Sequence, residues 1–431
     1  ELADYGSLSH DEVVGDENAK LNLKLTNGID TELGIYQVFN KDNDLTLLDN
    51  NLLDIIDMGD GSYRVRKKAD AILEADLGMS KAEVDTVGAL LKEADEGANK
   101  NFLKAQEELL EGLQSENKGT VMKAKKALNA VGSTDQSAVQ SVTTEHIGAI
   151  FNVVKSEMPS AIGGIGRSGG EEETRAKVYI KGLYDQTKST MGEGFKARSK
   201  GAVLGVQSQI SEDLTVGVGY AFSNTIAKED LRRTETDTNT GFASIHYQPN
   251  AWWMSGLATY SRANYDEKKE ILSTTGTANY NLDSWGIQVM TGYDIKLDRS
   301  VITPEVGIRY LSLKQEGYTD TLGTTVEGTK ADYVTATIGG RGMLNLGAIR
   351  PTAGETVGYD IISDDVSVLN TLANGASYTV NGDALDRLST GVSLGVEADL
   401  SDRTTLKIEY SGTYRKEYVD HSGMGRLEWK F

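Results

Sequence analysis

Apolar and polar residues alternate along the chain with two periods, and the period changes twice. Up to about Lys68 the alternation is loose and two-residue, as in Lys20-Leu21-Asn22-Leu23-Lys24-Leu25 and Tyr63-Arg64-Val65-Arg66, with turn signals at Asn27-Gly28 and Asp60-Gly61. Short strands are predicted there. From about Ala69 to Val131 the period becomes that of a helix. Ser80 and Glu83 form a capping box ahead of Val84, Val87, Leu90 and Leu91; Phe102, Ala105, Leu109, Leu110 and Leu113 line a second stripe; Val121, Ala124, Leu128 and Val131 line a third. A small helical bundle is predicted. A further helix over 137–158, stopped by Pro159, carries a weak apolar stripe (Val139, Val142, Ile147, Ile150, Phe151, Val154) among polar residues. A glycine-rich turn follows at 163–170.

From about Ala176 to Phe431 the two-residue period is continuous. Leu214, Val216, Val218, Tyr220 and Phe222 alternate with Thr215, Gly217, Gly219 and Ala221, and similar strands surround Trp285, Leu394 and Ile408. The strand after Pro351 is less clean, because Glu355 falls among the apolar set. At the end, Leu427, Trp429 and Phe431 share one face, and Arg426, Glu428 and Lys430 the other. An aromatic closing strand, apolar outside and charged inside, suits a wall between lipid and a wet lumen. Short turns (211–213, 248–250, 297–299, 345–347, 401–403) alternate with long polar connections, read as loops over 185–198, 224–238, 266–279, 314–331, 363–386 and 416–422. Six long and five short connections imply about twelve strands, both ends falling on the short-turn rim.

Composition agrees. No stretch of about 18 apolar residues exists, which excludes a transmembrane helix but not a barrel. Gly is abundant at 47, Tyr outnumbers Phe 19 to 7, and Cys is absent, so no disulfide framework or thiolate metal site is available. A net charge of −20 makes nucleic acid a poor partner. The chain opens Glu1-Leu2-Ala3-Asp4, so any export signal is expected to have been removed, or the chain is a fragment.

The predicted fold is therefore mainly β with an N-terminal helical part: a roughly twelve-stranded antiparallel transmembrane barrel with a pore-spanning α-helix. Such a barrel is wider than side chains alone fill. Lys177, Lys181, Glu305, Arg309, Arg341, Arg350, Glu397, Lys407, Glu409, Arg426, Glu428 and Lys430 are the expected pore lining. Glu145, His146, Asn152, Lys155 and Glu157 are the expected polar face of the helix, with Glu145 and Glu157 as partners for Lys177, Lys181, Arg309, Arg341 and Arg350.

This arrangement over 137–431 resembles the autotransporter family of type V secretion: a passenger, a pore-spanning linker helix and a twelve-stranded translocator ending in an aromatic. The resemblance implies export and surface anchoring of an N-terminal passenger across the outer membrane of a Gram-negative-type bacterium. It implies contact with outer-membrane lipid, and insertion of a monomeric barrel by the barrel-assembly machinery, which would read Leu427, Trp429 and Phe431; that signal's usual glycine would fall at Arg426, with Gly425 one place off. The expected division is 1–68 β-rich passenger remnant (the last rungs of a β-solenoid, as the resemblance implies), 69–136 small helical bundle or spacer, 137–170 pore-spanning linker helix and turn, and 171–431 translocator barrel. Family members that cut themselves use an Asn-Asn pair in the linker; here Asn152 precedes Val153, so the passenger is expected to stay attached. No cofactor or enzymatic activity is expected.

Rival readings are weaker. A porin-like channel shares the barrel but not a plugging helix, and a soluble β-sandwich would leave the closing aromatic strand unexplained. Asp420-His421, with Asp364-Asp365, offers the ingredients of an omptin-like protease. Gly391-Val392-Ser393-Leu394-Gly395 has the nucleophile-elbow spacing but lies inside an alternating strand, and Gly164–Gly169 has dinucleotide-fingerprint spacing but follows a helix instead of preceding one. The four His share no metal-ligand spacing, and Asp42-Asn43-Asp44 and Asp57–Gly61 complete no calcium loop.

Overall fold

The computed structural model describes residues 20–25, 34–39, 46–94, 97–133, 144, 147, 148, 150, 151, 176–192, 194–382 and 385–430. At the N-terminal end β1 (Lys20–Leu21) pairs in parallel with β3 (Thr46–Leu47). β2 (Ile35–Gln37), β5 (Ser62–Lys67) and β4 (Leu53–Asp57) form an antiparallel sheet. Stacked solenoid rungs would pair in parallel, and among the described residues of this part only the β1–β3 pair has that geometry.

Four helices follow among the described residues: α1 (Asp70–Leu77), α2 (Lys81–Leu90), α3 (Lys100–Leu113) and α4 (Lys118–Leu128). Local chemistry sets their ends. Ser80 and Glu83 close a reciprocal capping box on α2, while Asn99 and Asn117 accept the first free amides of α3 and α4. Gly78 ends α1 in a left-handed conformation.

Twelve long strands then close into a barrel: β6 (Ala176–Ser189), β7 (Phe195–Ser211), β8 (Leu214–Lys228), β9 (Arg232–Tyr247), β10 (Trp252–Ile271), β11 (Thr274–Tyr293), β13 (Ser300–Gln315), β16 (Thr329–Leu344), β17 (Ile349–Ser363), β20 (Leu388–Ser401), β21 (Thr404–Arg415) and β22 (Tyr418–Lys430). β12 (Ile295–Lys296) is a short addition beside the foot of β13. Pairing of β11 with β13 and of β22 with β6 completes the ring, so no edge faces lipid.

Alternation sorts the two faces. Val218, Ile338, Leu394 and Ile408 point outward and are 61–62% exposed, a degree of apolar exposure that only lipid makes favourable. Two aromatic levels bound this belt. Tyr184, Tyr220, Tyr260, Trp285, Tyr359 and Tyr410 lie toward the long-connection rim; Tyr247, Trp252, Tyr293 and Trp429 lie toward the short-turn rim. On β10 the outward residues above Tyr260 become Arg262, Asn264, Asp266, Lys268 and Glu270, which marks where the strand leaves the membrane. Glu355 sits outward in mid-belt, paired across the strands with Gly340 and Val392.

The long connections differ from the loops the sequence suggested. Much of 185–198, 224–238 and 266–279 continues as paired strand beyond the membrane. Within 314–331 and 363–386, β14 (Tyr318–Thr319), β15 (Thr325–Val326), β18 (Ser367–Thr371) and β19 (Ser377–Asn381) build a separate four-stranded sheet. Above the belt both faces meet water or protein, so outward side chains turn polar while the ladder runs on.

Candidate functional site: the barrel interior and its outer mouth

Inward-facing glycines give the wall its inner relief. Tyr179 lies across Gly205, and Phe242 across Gly219, each ring occupying the space a Cβ would need. The ring of Trp253 comes within 2.5 Å of where a Cβ on Gly292 would stand, and the Arg341 guanidinium lies over the same ring, 5.4 Å from its centroid. Large aromatics thereby lie along the wall instead of filling the lumen.

All twelve side chains expected to line the pore lie on inward-facing positions. Toward the short-turn rim, Lys181, Arg426, Lys407, Glu397 and Arg350 stand side by side on β6, β22, β21, β20 and β17. Arg350 reaches Glu397 at 2.8 Å and Asp399 at 2.6 Å; Arg426 reaches Glu397 at 3.0 Å and Glu428 at 3.4 Å. Lys177 and Lys430 flank Glu428 at 3.4 and 3.5 Å, Lys407 meets Glu409 at 2.5 Å, and Arg341 meets Glu305 at 3.6 Å. Desolvated charges need such neighbours, and the same row carries charges of both signs on the inner wall.

Deeper in the chain order, residues 147, 148, 150 and 151 are helical. Ile147, Ile150 and Phe151 are fully buried in a cluster with the inward-facing Tyr179, Val203, Ala221, Phe242 and Leu257. The Phe151 ring packs 3.0 Å from where a Cβ on Gly286 would stand, and Arg309 lies 5.7 Å over its face. Part of the segment read as a pore helix is therefore inside the barrel. Glu145, His146, Asn152, Lys155 and Glu157 lie outside the described residues, as do the glycine-rich turn at 163–170 and Phe431.

Eighteen residues before Phe151 the chain is held at the opposite end. Arg232 donates to the carbonyls of Gly132 (2.7 Å) and Asn129 (3.4 Å), Lys269 donates to that of Val131 (2.9 Å), and the Ser133 amide donates to Asn370 Oδ1 (2.9 Å). These positions are at the long-connection rim, whereas β6 begins at the short-turn rim, Ala176 pairing with Ser208. The described points along the chain therefore lie, in order, at the long-connection rim (131–133), on the inner wall (Phe151) and at the foot of the first strand (Ala176).

The protease constellation does not assemble. Asp420 points inward and accepts from Thr187 at 2.8 Å, while His421 points outward with Nδ1 at 2.8 Å from the Tyr410 hydroxyl. The two side chains lie on opposite faces of β22. Ser393 of the elbow-like pentapeptide faces inward beside Gly354, within an uninterrupted strand. No group of three metal-ligating side chains occurs among the described residues.

The family model for the autotransporter β-domain matches residues 178–411. The chain belongs to the autotransporter family. Its barrel is an outer-membrane β-domain, and the aromatic levels bound the part embedded there. The chain is 23% identical over 344 residues to outer membrane protein B of Rickettsia prowazekii, covering 71% of this chain and 20% of that protein. It is 22% identical over 294 residues to outer membrane protein A of Rickettsia rickettsii, covering 61% of this chain and 13% of the relative. It thus spans a fifth or less of the length of these relatives. Among solved structures, the translocator domain of the autotransporter NalP from Neisseria meningitidis superposes with a TM-score of 0.56 at 17% identity, over 70% of this chain and 99% of that one. That likeness concerns the fold.

Sequence reasoning missed Arg232, Lys269, Asn370 and Gly132. Each lies in or beside a stretch read as loop or spacer, although Arg232 keeps inward parity with Thr234, Thr236, Thr238 and Thr240.

Proposed function

We propose that this autotransporter chain exports and anchors an N-terminal passenger at the cell surface, with the segment around Phe151 left in the lumen as a plug. The observation that carries the reading is the path of the chain: gripped at the outer mouth at 131–133, against the inner wall at Phe151, and entering β6 at the short-turn rim. In this reading residues 1–68 are passenger, 69–136 a surface-exposed helical unit, 137–170 the linker and turn, and 171–431 the translocator.

The wall charges solvate the passing chain without reacting with it. Glu145 and Glu157 then face the cationic row and Arg309 once the linker is in place. The separation of Asp420 from His421 supports a role without catalysis, and no cofactor is invoked. The barrel functions as a monomer in outer-membrane lipid. The barrel-assembly machinery recognises the closing strand through Leu427, Trp429 and Phe431.

An epitope placed ahead of Glu1 tests the reading. Antibody is expected to bind intact cells, with the epitope remaining cell-associated and absent from the medium. Epitope retained inside cells that carry a correctly folded barrel would overturn it.

A further inference from the structure

Residues 70–128 do not hang from the barrel as a spacer. Phe102, Leu109, Val87 and Leu90 share one buried cluster with Ile271, Leu322, Leu372, Tyr378 and Val380, which come from three long connections of the barrel. Polar contacts ring this core. Asn99 donates to the Thr321 carbonyl at 2.9 Å, Glu108 accepts from the Ser273 amide at 3.0 Å, Asn374 donates to the Ala89 and Lys92 carbonyls at 2.9 and 2.8 Å, and Lys126 pairs with Asp230 at 2.5 Å. The helices sit on the outer mouth as a cover.

Beneath them lies a collar. Arg232 and Lys269 are 6% and 2% exposed, and each is balanced by its own carboxylate, Glu267 at 2.7 Å and Asp320 at 2.6 Å. Arg232 Nη2 and Lys269 Nζ also meet the carbonyls of Asn129, Val131 and Gly132, just past the C-terminus of α4. The C-terminal end of a helix carries free acceptors and partial negative charge, so two buried cations are a matched receptor for one. The collar is also narrow. A Cβ on Gly132 would collide with the Tyr378 hydroxyl and lie 2.9 Å from Asn370 Oδ1.

We propose that the helical unit is a lid, latched by Arg232 and Lys269 onto the outer mouth, that closes the pore from outside independently of the plug within it. The opening at Gly132 passes a main chain and no side chain. The collar therefore closes only when 129–133 arrive, after the preceding chain has gone through. The proposal deepens the export reading and rests on it.

The test is ion conductance in planar bilayers, together with entry of a large hydrophilic antibiotic into cells, with Ile147, Ile150 and Phe151 all replaced by glycine in the full-length parent chain to loosen the plug, so that the lid alone closes the pore. Three variants are compared: Arg232→Gln, Gly132→Leu and Asn374→Ala. The last removes the two bonds to Ala89 and Lys92 from the tip of the β18–β19 hairpin, away from the barrel wall. Gel mobility before and after heating identifies the folded barrels. Folded variants are expected to open at least tenfold more often than the parent chain and to admit antibiotic. Folded variants as closed as the parent would overturn the lid. Should Arg232→Gln and Gly132→Leu not fold, Asn374→Ala decides alone. The two readings fail separately: an epitope that never reaches the surface sinks export, whereas a displayed epitope with tight variants sinks only the lid.

Discussion

Single residues decide whether this wall can be both closed and hollow. Tyr179 lies flat only because Gly205 has no side chain beneath it. Gly205→Val is expected to cost about 1–3 kcal/mol through forced displacement of the ring, read as a lower denaturant midpoint for refolding into lipid vesicles. Glu355 makes the opposite case. A carboxylate in mid-belt on the lipid face is unfavourable, by less than the several kcal/mol of a lysine there. Glu355→Leu is expected to raise the same midpoint, by up to about 2 kcal/mol; an unchanged or lower midpoint would show that Glu355 has a favourable partner in the membrane. Arg350 shows the cost of an incomplete charge set. With methionine in its place, Glu397 keeps Arg426 but Asp399 loses its guanidinium, so a loss of roughly 1–3 kcal/mol is expected.

Among the elements, the contact between α2 and β19 offers a handle on the lid alone. Tyr378 is buried between them and bonded to Thr86, and burial pushes its phenol up to about 12. An unfolded tyrosine titrates near 10. The fold therefore favours the protonated phenol, and this contribution is complete below about pH 10 and disappears as pH rises through 12. Protease sensitivity of residues 70–128 is expected to rise across that window in the parent chain and to rise less in Tyr378→Phe. The elements themselves were largely legible. Three-to-four-residue spacing marked α2, α3 and α4, and the capping box at Ser80 and Glu83 fixed one helix start. Strict alternation marked the barrel strands, with Glu355 standing out as the exception it is. What escaped was the strand extensions above the membrane. There the outward residues of β10 change from Met254 and Tyr260 to Asp266 and Lys268, and a loss of apolar character was mistaken for a loss of strand. Parity alone would have carried Glu267 and Lys269 inward. The docking of α2 and α3 onto the rim could not be read at all, since an amphipathic stripe says that a helix is covered and not by what.

Over the whole molecule, ladder closure, the lipid belt and the threaded path form one chain of cause. A ring of strands without edges can face lipid, and glycines keep its wall open to large rings; in the proposed function the charged row at one end and the collar at the other admit and then hold the segment between them. The proposed export predicts a sidedness. It puts the helical unit with Met122, which is 72% exposed, outside the cell and the short turn bearing Asp402 in the periplasm. Because the sequence has no cysteine, one introduced thiol reports each side without background. The most direct measurement is labelling of Met122→Cys and Asp402→Cys on intact cells with a membrane-impermeant maleimide. Met122→Cys is expected to react at once and Asp402→Cys only after the outer membrane is permeabilised; the reverse pattern, or equal protection of both, would contradict a barrel that carries its N-terminal part to the cell surface.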